Sequence, residues 1–144
     1  MAVYTGTQAK QAYGAQLLRN NGSAYAAIEE LTAIGGPSSK TKPIDCTNFD
    51  SGGVNEYISG LLDSGTVTCE GNFVNGTNQA LAYDDFNGRT TSLWEITLPG
   101  TQPAAGYFRF SAMVIEFAPD FKLTEQVKFK LTLQITGAIT FGTT

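Results

Sequence analysis

The feature that most constrains this chain lies near its end, where Val127, Phe129, Leu131, Leu133 and Ile135 alternate strictly with Lys128, Lys130, Thr132, Gln134 and Thr136. A period of two is that of a β-strand with one face in a core and the other wet or covered by a neighbouring subunit. Two earlier segments repeat it. In 92–98, Leu93, Glu95 and Thr97 oppose Trp94, Ile96 and Leu98, and farther on Phe108, Phe110, Ala112 and Val114 share one face. Ala118-Pro119-Asp120-Phe121 reads as the turn between the last two strands. With 16 glycines, 9 phenylalanines and only 15% charged residues, the composition suits short strands and tight turns better than a helical bundle. At 144 residues, one mainly β domain with a single core is expected.

Residues 1–12 are small and polar without an apolar period, so they read as an arm that stays mobile until a neighbour orders it, and the domain as 13–144. Residues 13–19 and 24–34 read as two strands joined at Asn20-Asn21-Gly22-Ser23, whose Asn and Gly supply the positive φ of a tight hairpin. Ile28, Leu31 and Ile34 also fall at helical spacing, so an amphipathic helix ending at Gly35-Gly36-Pro37 is the alternative for the second. A strand over 42–47 places Ile44 and Cys46 on one face. It leads into a long loop, about 48–65, that carries Val54, Tyr57, Ile58, Leu61 and Leu62. Apolar side chains in so long a loop need a surface to cover, unless 55–62 is a short helix folded back on the core. Residues 66–73 read as a strand with a bulge near Gly71, and 78–86 as a helix capped by Thr77 or Asn78 and stopped at Asn87-Gly88.

Histidine is absent, which removes Ser-His and Cys-His nucleophile activation and His-ligated zinc. A net charge of −4 argues against gripping a phosphate backbone. Cys46 and Cys69 fit no Cys-x-x-Cys or zinc spacing and read as small, half-buried strand residues held as thiols. The carboxylate pairs Glu29-Glu30 and Asp84-Asp85 are neighbours whose side chains diverge, so they read as solvated charges rather than acid–base dyads. Asp45, Asp50 and Asp63 lack an EF-hand spacing, and Asn21-Gly22-Ser23 and Asn75-Gly76-Thr77 read as turns before glycosylation sites. Lys128 and Lys130 read as a solvated face or as salt bridges across a subunit boundary. No metal, cofactor or catalytic residue is expected. No run approaches the roughly 20 apolar residues of a membrane-spanning helix, and no secretory signal opens the chain, so it is expected to be made in the cytosol.

The segment Lys42-Pro43-Ile44-Asp45-Cys46-Thr47-Asn48-Phe49-Asp50-Ser51, followed by Glu56-Tyr57-Ile58-Ser59-Gly60-Leu61-Leu62-Asp63-Ser64-Gly65, resembles the I-D-x-T … D-S … E-Y-I-x-G-L-x-D-x-G stretch of siphophage (lambda-like) major tail tube proteins. Ile34-Gly35-Gly36-Pro37, the helix start at Asn78-Gln79-Ala80-Leu81, Trp94-Glu95-Ile96-Thr97-Leu98-Pro99 and the terminal strand closing on Thr136-Gly137 follow in the same order. Cys46 departs from the pattern, which has a plain apolar residue there. The resemblance implies two packed antiparallel β-sheets, as a sandwich or barrel, flanked by one α-helix. It implies hexameric rings stacking into a hollow tube through which DNA passes without specific binding, located in the virion tail and assembled in the host bacterial cytoplasm. Tape measure, tail terminator and baseplate proteins are the implied partners, with no membrane. The loop would reach the adjoining ring through Asp50, Val54, Tyr57, Ile58, Leu61 and Leu62, and the arm would contact neighbours through Val3 and Tyr4. Glu70, Glu95 and Glu116 are the candidate acidic residues of the bore.

Three other readings compete. A type VI secretion tube or tail-terminator subunit shares the implied fold. A small carbohydrate-binding β-sandwich would need exposed aromatic platforms such as Tyr83, Tyr107 or Trp94. A histidine-free glycosidase would need Glu29, Glu30, Asp84 or Asp85 to converge.

Overall fold

The structure is a computed structural model that describes residues 14–98 and 106–143. The expected arm, with Val3 and Tyr4, lies outside the described residues.

The strands are β1 (Gln16–Asn20), β2 (Tyr25–Ala27), β3 (Leu31–Gly35), β4 (Lys40–Asp45), β5 (Tyr57–Asp63), β6 (Thr66–Asn72), β7 (Thr91–Thr97), β8 (Gly106–Asp120) and β9 (Lys128–Thr143), with helix α1 (Thr77–Gly88) between β6 and β7. Seven strands form one antiparallel sheet in the order β2-β1-β7-β8-β9-β6-β3, and β4 pairs with β5 in a separate two-stranded sheet. The outermost strands of the large sheet, β2 and β3, are consecutive in sequence and joined by residues 28–30 alone. So short a link spans at most about 14 Å, which forces the sheet to curl until its edges nearly meet. The mainly β architecture with one flanking helix therefore forms. Its opposing layers are the walls of one curled sheet.

The period-two residues line the inside. Leu17, Val67, Cys69, Trp94, Ile96, Phe110, Ala112, Val114, Phe129, Leu131, Leu133 and Ile135 are all buried in one cluster. Phe73, Phe117 and Phe129 extend it edge-to-face and stacked, with ring centroids 5.5 to 6.2 Å apart.

Helix α1 closes one end of the barrel. Its Gln79 is fully buried at the seam between the sheet edges. There the Gln79 Nε2 donates to the carbonyls of Glu29 (2.8 Å) and Asn72 (3.0 Å), while its Oε1 accepts from the amides of Val74 (3.1 Å) and Gly76 (3.4 Å). The Glu29 carboxylate accepts the free amides of Asn78 (3.0 Å) and Gln79 (3.1 Å), placing a negative charge on the positive end of the helix dipole. At the other end of the helix, Asp85 takes both Nε (2.6 Å) and Nη2 (2.9 Å) of Arg19 on β1, and Ser92 Oγ of β7 at 3.0 Å.

Several sequence expectations are corrected. The hairpin at Asn20-Asn21-Gly22-Ser23 forms, with Asn20 opposite Tyr25, but 24–34 is neither one strand nor a helix. It breaks at Glu30, whose φ of 58° turns the chain from one sheet edge to the other. The second half of the 48–65 loop is strand β5, and no helix forms there, because β4 lies alongside to pair with it. Strand β6 pairs with β9 in unbroken register, so the irregularity expected at Gly71 falls instead on β3, between Leu31 and Ala33. The N-cap is Gly76, with Glu29 satisfying the amides that a Thr77 or Asn78 side chain was expected to cap, and the helix stops one residue late, at Arg89 in the left-handed region (φ 54°). Strand β8 runs through Pro119 to Asp120, so the turn shifts to 121–127. Glu29 and Asp85 are structural anchors, not solvated charges. Cys46 is exposed beyond the end of β4, whereas Cys69 is wholly buried.

Two measurements check this packing. Gln79→Ala removes the side-chain partner of four part-buried backbone groups and is expected to cost about 2–4 kcal/mol in denaturant unfolding. Burial pushes the Cys69 thiol up to about 12, so at pH 8 an aromatic disulfide reagent is expected to titrate Cys46 alone in the folded protein and both thiols in denaturant.

Candidate assembly interface

The β4–β5 hairpin extends a ribbon that begins in the barrel. Gly35 pairs with Thr68, and five residues farther along each strand Lys40 pairs with Asp63 in the same register. Between these points the ribbon passes a tight neck. Gly36 has φ +109° and a Cβ there would lie 2.6 Å from the Thr66 carbonyl; Gly65 has φ +79° and a Cβ would collide with the Ser38 carbonyl. Ser38 N–H donates to Thr66 O (3.3 Å), Ser39 Oγ to Ser64 O (3.3 Å) and Ser64 Oγ to Gly137 O (2.5 Å), so the neck is tied to β9.

Beyond the neck the hairpin leaves the barrel. Every residue of β4 is exposed, and in β5 only Gly60 is partly covered. Ile44 sits opposite Ile58, with Gly60 against the Ile44 side chain, whereas Tyr57 shares the other face with Pro43 and Asp45; the register shifts between Pro43 and Thr41, beyond which Leu62 sits opposite Thr41. Apolar groups thus stand on both faces. Leu61 is 93% exposed, Ile58 56% and Leu62 64%. At the tip, residues 46–56 are organised by Cys46 N–H to Glu56 O (3.0 Å), Glu56 N–H to Thr47 Oγ1 (2.8 Å) and Ser51 Oγ to the Glu56 carboxylate (2.9 Å). Thr47 hydrogen bonds, from its side chain first and its amide second, hold the Asp45 carboxyl below its ordinary range. Phe49 at the apex is fully exposed. An isolated two-stranded hairpin is marginal in water, and one that is apolar on both faces is built to be covered.

The structure gathers Val54, Tyr57, Ile58, Leu61 and Leu62 on this one projection, with Asp50 at its tip, and adds Ile44 and Phe49, which the sequence reading did not count among the contact residues. The signal for both was the pairing of β4 with β5, which appears only once the segment is read as a hairpin.

The three acidic candidates lie on the outer face of the large sheet. Glu70 is register partner to Lys130, and Glu116 Oε1 lies 4.0 Å from the Lys130 ammonium. Glu95 is only 8% exposed and receives Arg109 Nε at 2.8 Å, beneath a guanidinium flanked by the rings of Tyr107 (4.3 Å) and Tyr25 (5.0 Å). Of the aromatic platforms a sugar-binding face would need, Trp94 is fully buried and Tyr107 stacks on Arg109, while Tyr83, 45% exposed, packs edge-on to Phe117. Glu29 and Asp85 are committed to the helix ends. Among the described residues no three Asp, Glu or Cys side chains converge as a metal site, Asp45, Asp50 and Asp63 included.

No protein-family model matches the chain, and no curated protein matches it in sequence. Solved structures do. The tail of an empty gene transfer agent particle, refined with C6 symmetry, superposes with a TM-score of 0.80 at 17% identity, covering 93% of this chain and 99% of that one. The chain folds as a tail-tube protein does. A sheath–tube complex of an extracellular contractile injection system matches with TM-score 0.73 at 14% identity, over 95% of this chain and 93% of its own. The SPP1 tail tube matches at 0.69 and 12%, over 90% and 77%.

Because Leu61 and Ile58 are exposed and lie outside the buried core cluster, Leu61→Ser and Ile58→Ser are expected to change unfolding free energy by less than about 0.5 kcal/mol. Leu131→Ala in the core is expected to cost about 2–5 kcal/mol in the same assay.

Proposed function

We propose that this chain is the repeating structural subunit of a bacteriophage-type tail tube, assembling as hexameric rings that stack into a hollow conduit for DNA. The observation that carries it is the combination of the tube fold with a projecting hairpin whose two apolar faces stay exposed among the described residues. Burying a Leu or Ile side chain contributes about 1.5–3 kcal/mol, so a few of Ile44, Val54, Tyr57, Ile58, Leu61 and Leu62 supply enough to bind a neighbouring subunit. The hairpin is the ring-to-ring contact in this reading.

The work of such a subunit is mechanical and electrostatic. A conduit must pass DNA without holding it, since each Lys or Arg contact to phosphate adds affinity and drag. A net charge of −4 suits that task. We assign Glu70 and Glu116 to the bore, where they offset Lys130, while Glu95 is neutralised by Arg109 and contributes least. The lambda-like branch is the finer reading, supported by the 42–65 motif. Val3 and Tyr4 of the arm, with tape measure, terminator and baseplate proteins as partners, complete the assembly we propose, sited in the virion tail.

Electron microscopy of the purified protein at rising concentration tests it: rings and then hollow tubes are expected. Replacing 41–62 by a two-residue Asn-Gly turn, which the Lys40–Asp63 pairing accommodates, should leave a folded barrel that no longer stacks. A monodisperse monomer at every concentration would refute the tube, and stacking by the shortened protein would refute the hairpin's role.

A further inference from the structure

The chain contains three Asn-Gly pairs, Asn21-Gly22, Asn75-Gly76 and Asn87-Gly88. In each, the glycine nitrogen can close on the asparagine side-chain carbonyl, because glycine brings no side chain to obstruct the five-membered ring that results. The fold treats the three nitrogens differently.

Two pairs are held back. Gly88 closes helix α1, so its N–H is committed to the carbonyl four residues earlier. Gly76 is the N-cap; its N–H donates to Gln79 Oε1 (3.4 Å), and a Cβ on it would lie 2.5 Å from the Glu29 carboxyl carbon. A carboxylate so close opposes loss of the amide proton, which ring closure requires.

The third pair is arranged the other way. Residues 21–24 are all exposed, and nothing lies within 4 Å of a Cβ built at Gly22. Asn21 Oδ1 accepts two backbone amides, Ser23 N–H at 3.1 Å and Ala24 N–H at 3.0 Å. Two donors on one carbonyl oxygen draw charge from its carbon and stabilise the oxyanion formed when a nucleophile adds, as an oxyanion hole does. The nucleophile, Gly22 N, is restrained by a solvent-exposed bond to Asn20 Oδ1 (2.7 Å).

We propose that Asn21 is a self-modification site, converted without an enzyme to aspartate or isoaspartate, with Asn20 setting the rate. Solvent base takes the Gly22 amide proton, Gly22 N bonds to Asn21 Cγ, and the Cγ–Nδ2 bond breaks as ammonia leaves with a proton from solvent. Water then opens the ring at either carbonyl, and no oxidation or reduction occurs. The product adds one negative charge to a chain of net charge −4. The isoaspartate form also lengthens the backbone of the loop that leads from β1 into Tyr25, whose ring covers the Arg109 guanidinium. The reaction needs no assembly and does not depend on the tube.

Peptide mass mapping of the folded protein, sampled over days in mildly alkaline buffer, tests it, with the protein in denaturant as reference. In denaturant the three pairs are expected to react alike. In the folded protein Asn75 and Asn87 are expected to slow at least about tenfold, as amides released through local opening do, while Asn21 stays within about threefold of its rate in denaturant. Asn20→Ala, with circular dichroism unchanged, is expected to raise the Asn21 rate about threefold by releasing the Gly22 amide from one exposed hydrogen bond. Conversion at Asn21 no faster than at Asn75 and Asn87 in the folded protein would overturn the site. An Asn20→Ala rate equal to the wild type's would overturn the part given to Asn20.

Discussion

Everything in this molecule depends on a three-residue link. Residues 28–30 join the outermost strands of a seven-stranded sheet, so the sheet has no freedom to lie open. A curled sheet leaves a seam, and a seam leaves backbone polar groups without ladder partners. Gln79 and the Glu29 carboxylate resolve that problem together. The same turn that closes the barrel supplies the anion that starts the helix, and the helix returns an amide side chain that fills the seam. Closure and helix docking are therefore one event, and the Arg19–Asp85 pair fixes the far end of the helix to the same wall.

Closure also determines what is left over. A barrel that satisfies its own core through Trp94, Phe110, Leu131 and their neighbours has no use for the apolar groups of β4 and β5. The ribbon of β3 and β6 carries them out past the neck at Gly36 and Gly65, where side chains would clash with backbone. The division is sharp: the body folds on its own interior, and the hairpin leaves its hydrophobic surface exposed.

Much of the body was legible in the sequence because its strands have one dry and one wet face. The alternations in β7, β8 and β9 needed no tertiary information, and the helix showed in its spacing. Segment 24–34 was not legible, because its break sits at Glu30, a residue whose identity gives no sign of a left-handed conformation. Strand β5 was hidden for a different reason. With Tyr57 and Ile58 on opposite faces and a register shift before Leu62, it shows no period at all, and only its cross-strand pairing with β4 reveals it. The anchoring roles of Glu29 and Asp85 were invisible because each answers a group far away in sequence: the amides of Asn78 and Gln79, and the guanidinium of Arg19.

The unbroken register between the two halves of the ribbon bears on how the subunit carries force. A pull on the hairpin acts along β4 and β5 and passes through the neck into β3 and β6, then sideways into β9. Those strands lie parallel to the load, so their hydrogen bonds are sheared together and do not open one after another as they would if peeled. Tension along the ribbon would be met by the whole β6–β9 ladder at once, while a sideways tug would find the few bonds of the neck, at Ser38, Ser39, Ser64 and the Gly65 carbonyl. The subunit is stiff in extension and compliant in bending, the mechanical character of a link in a chain.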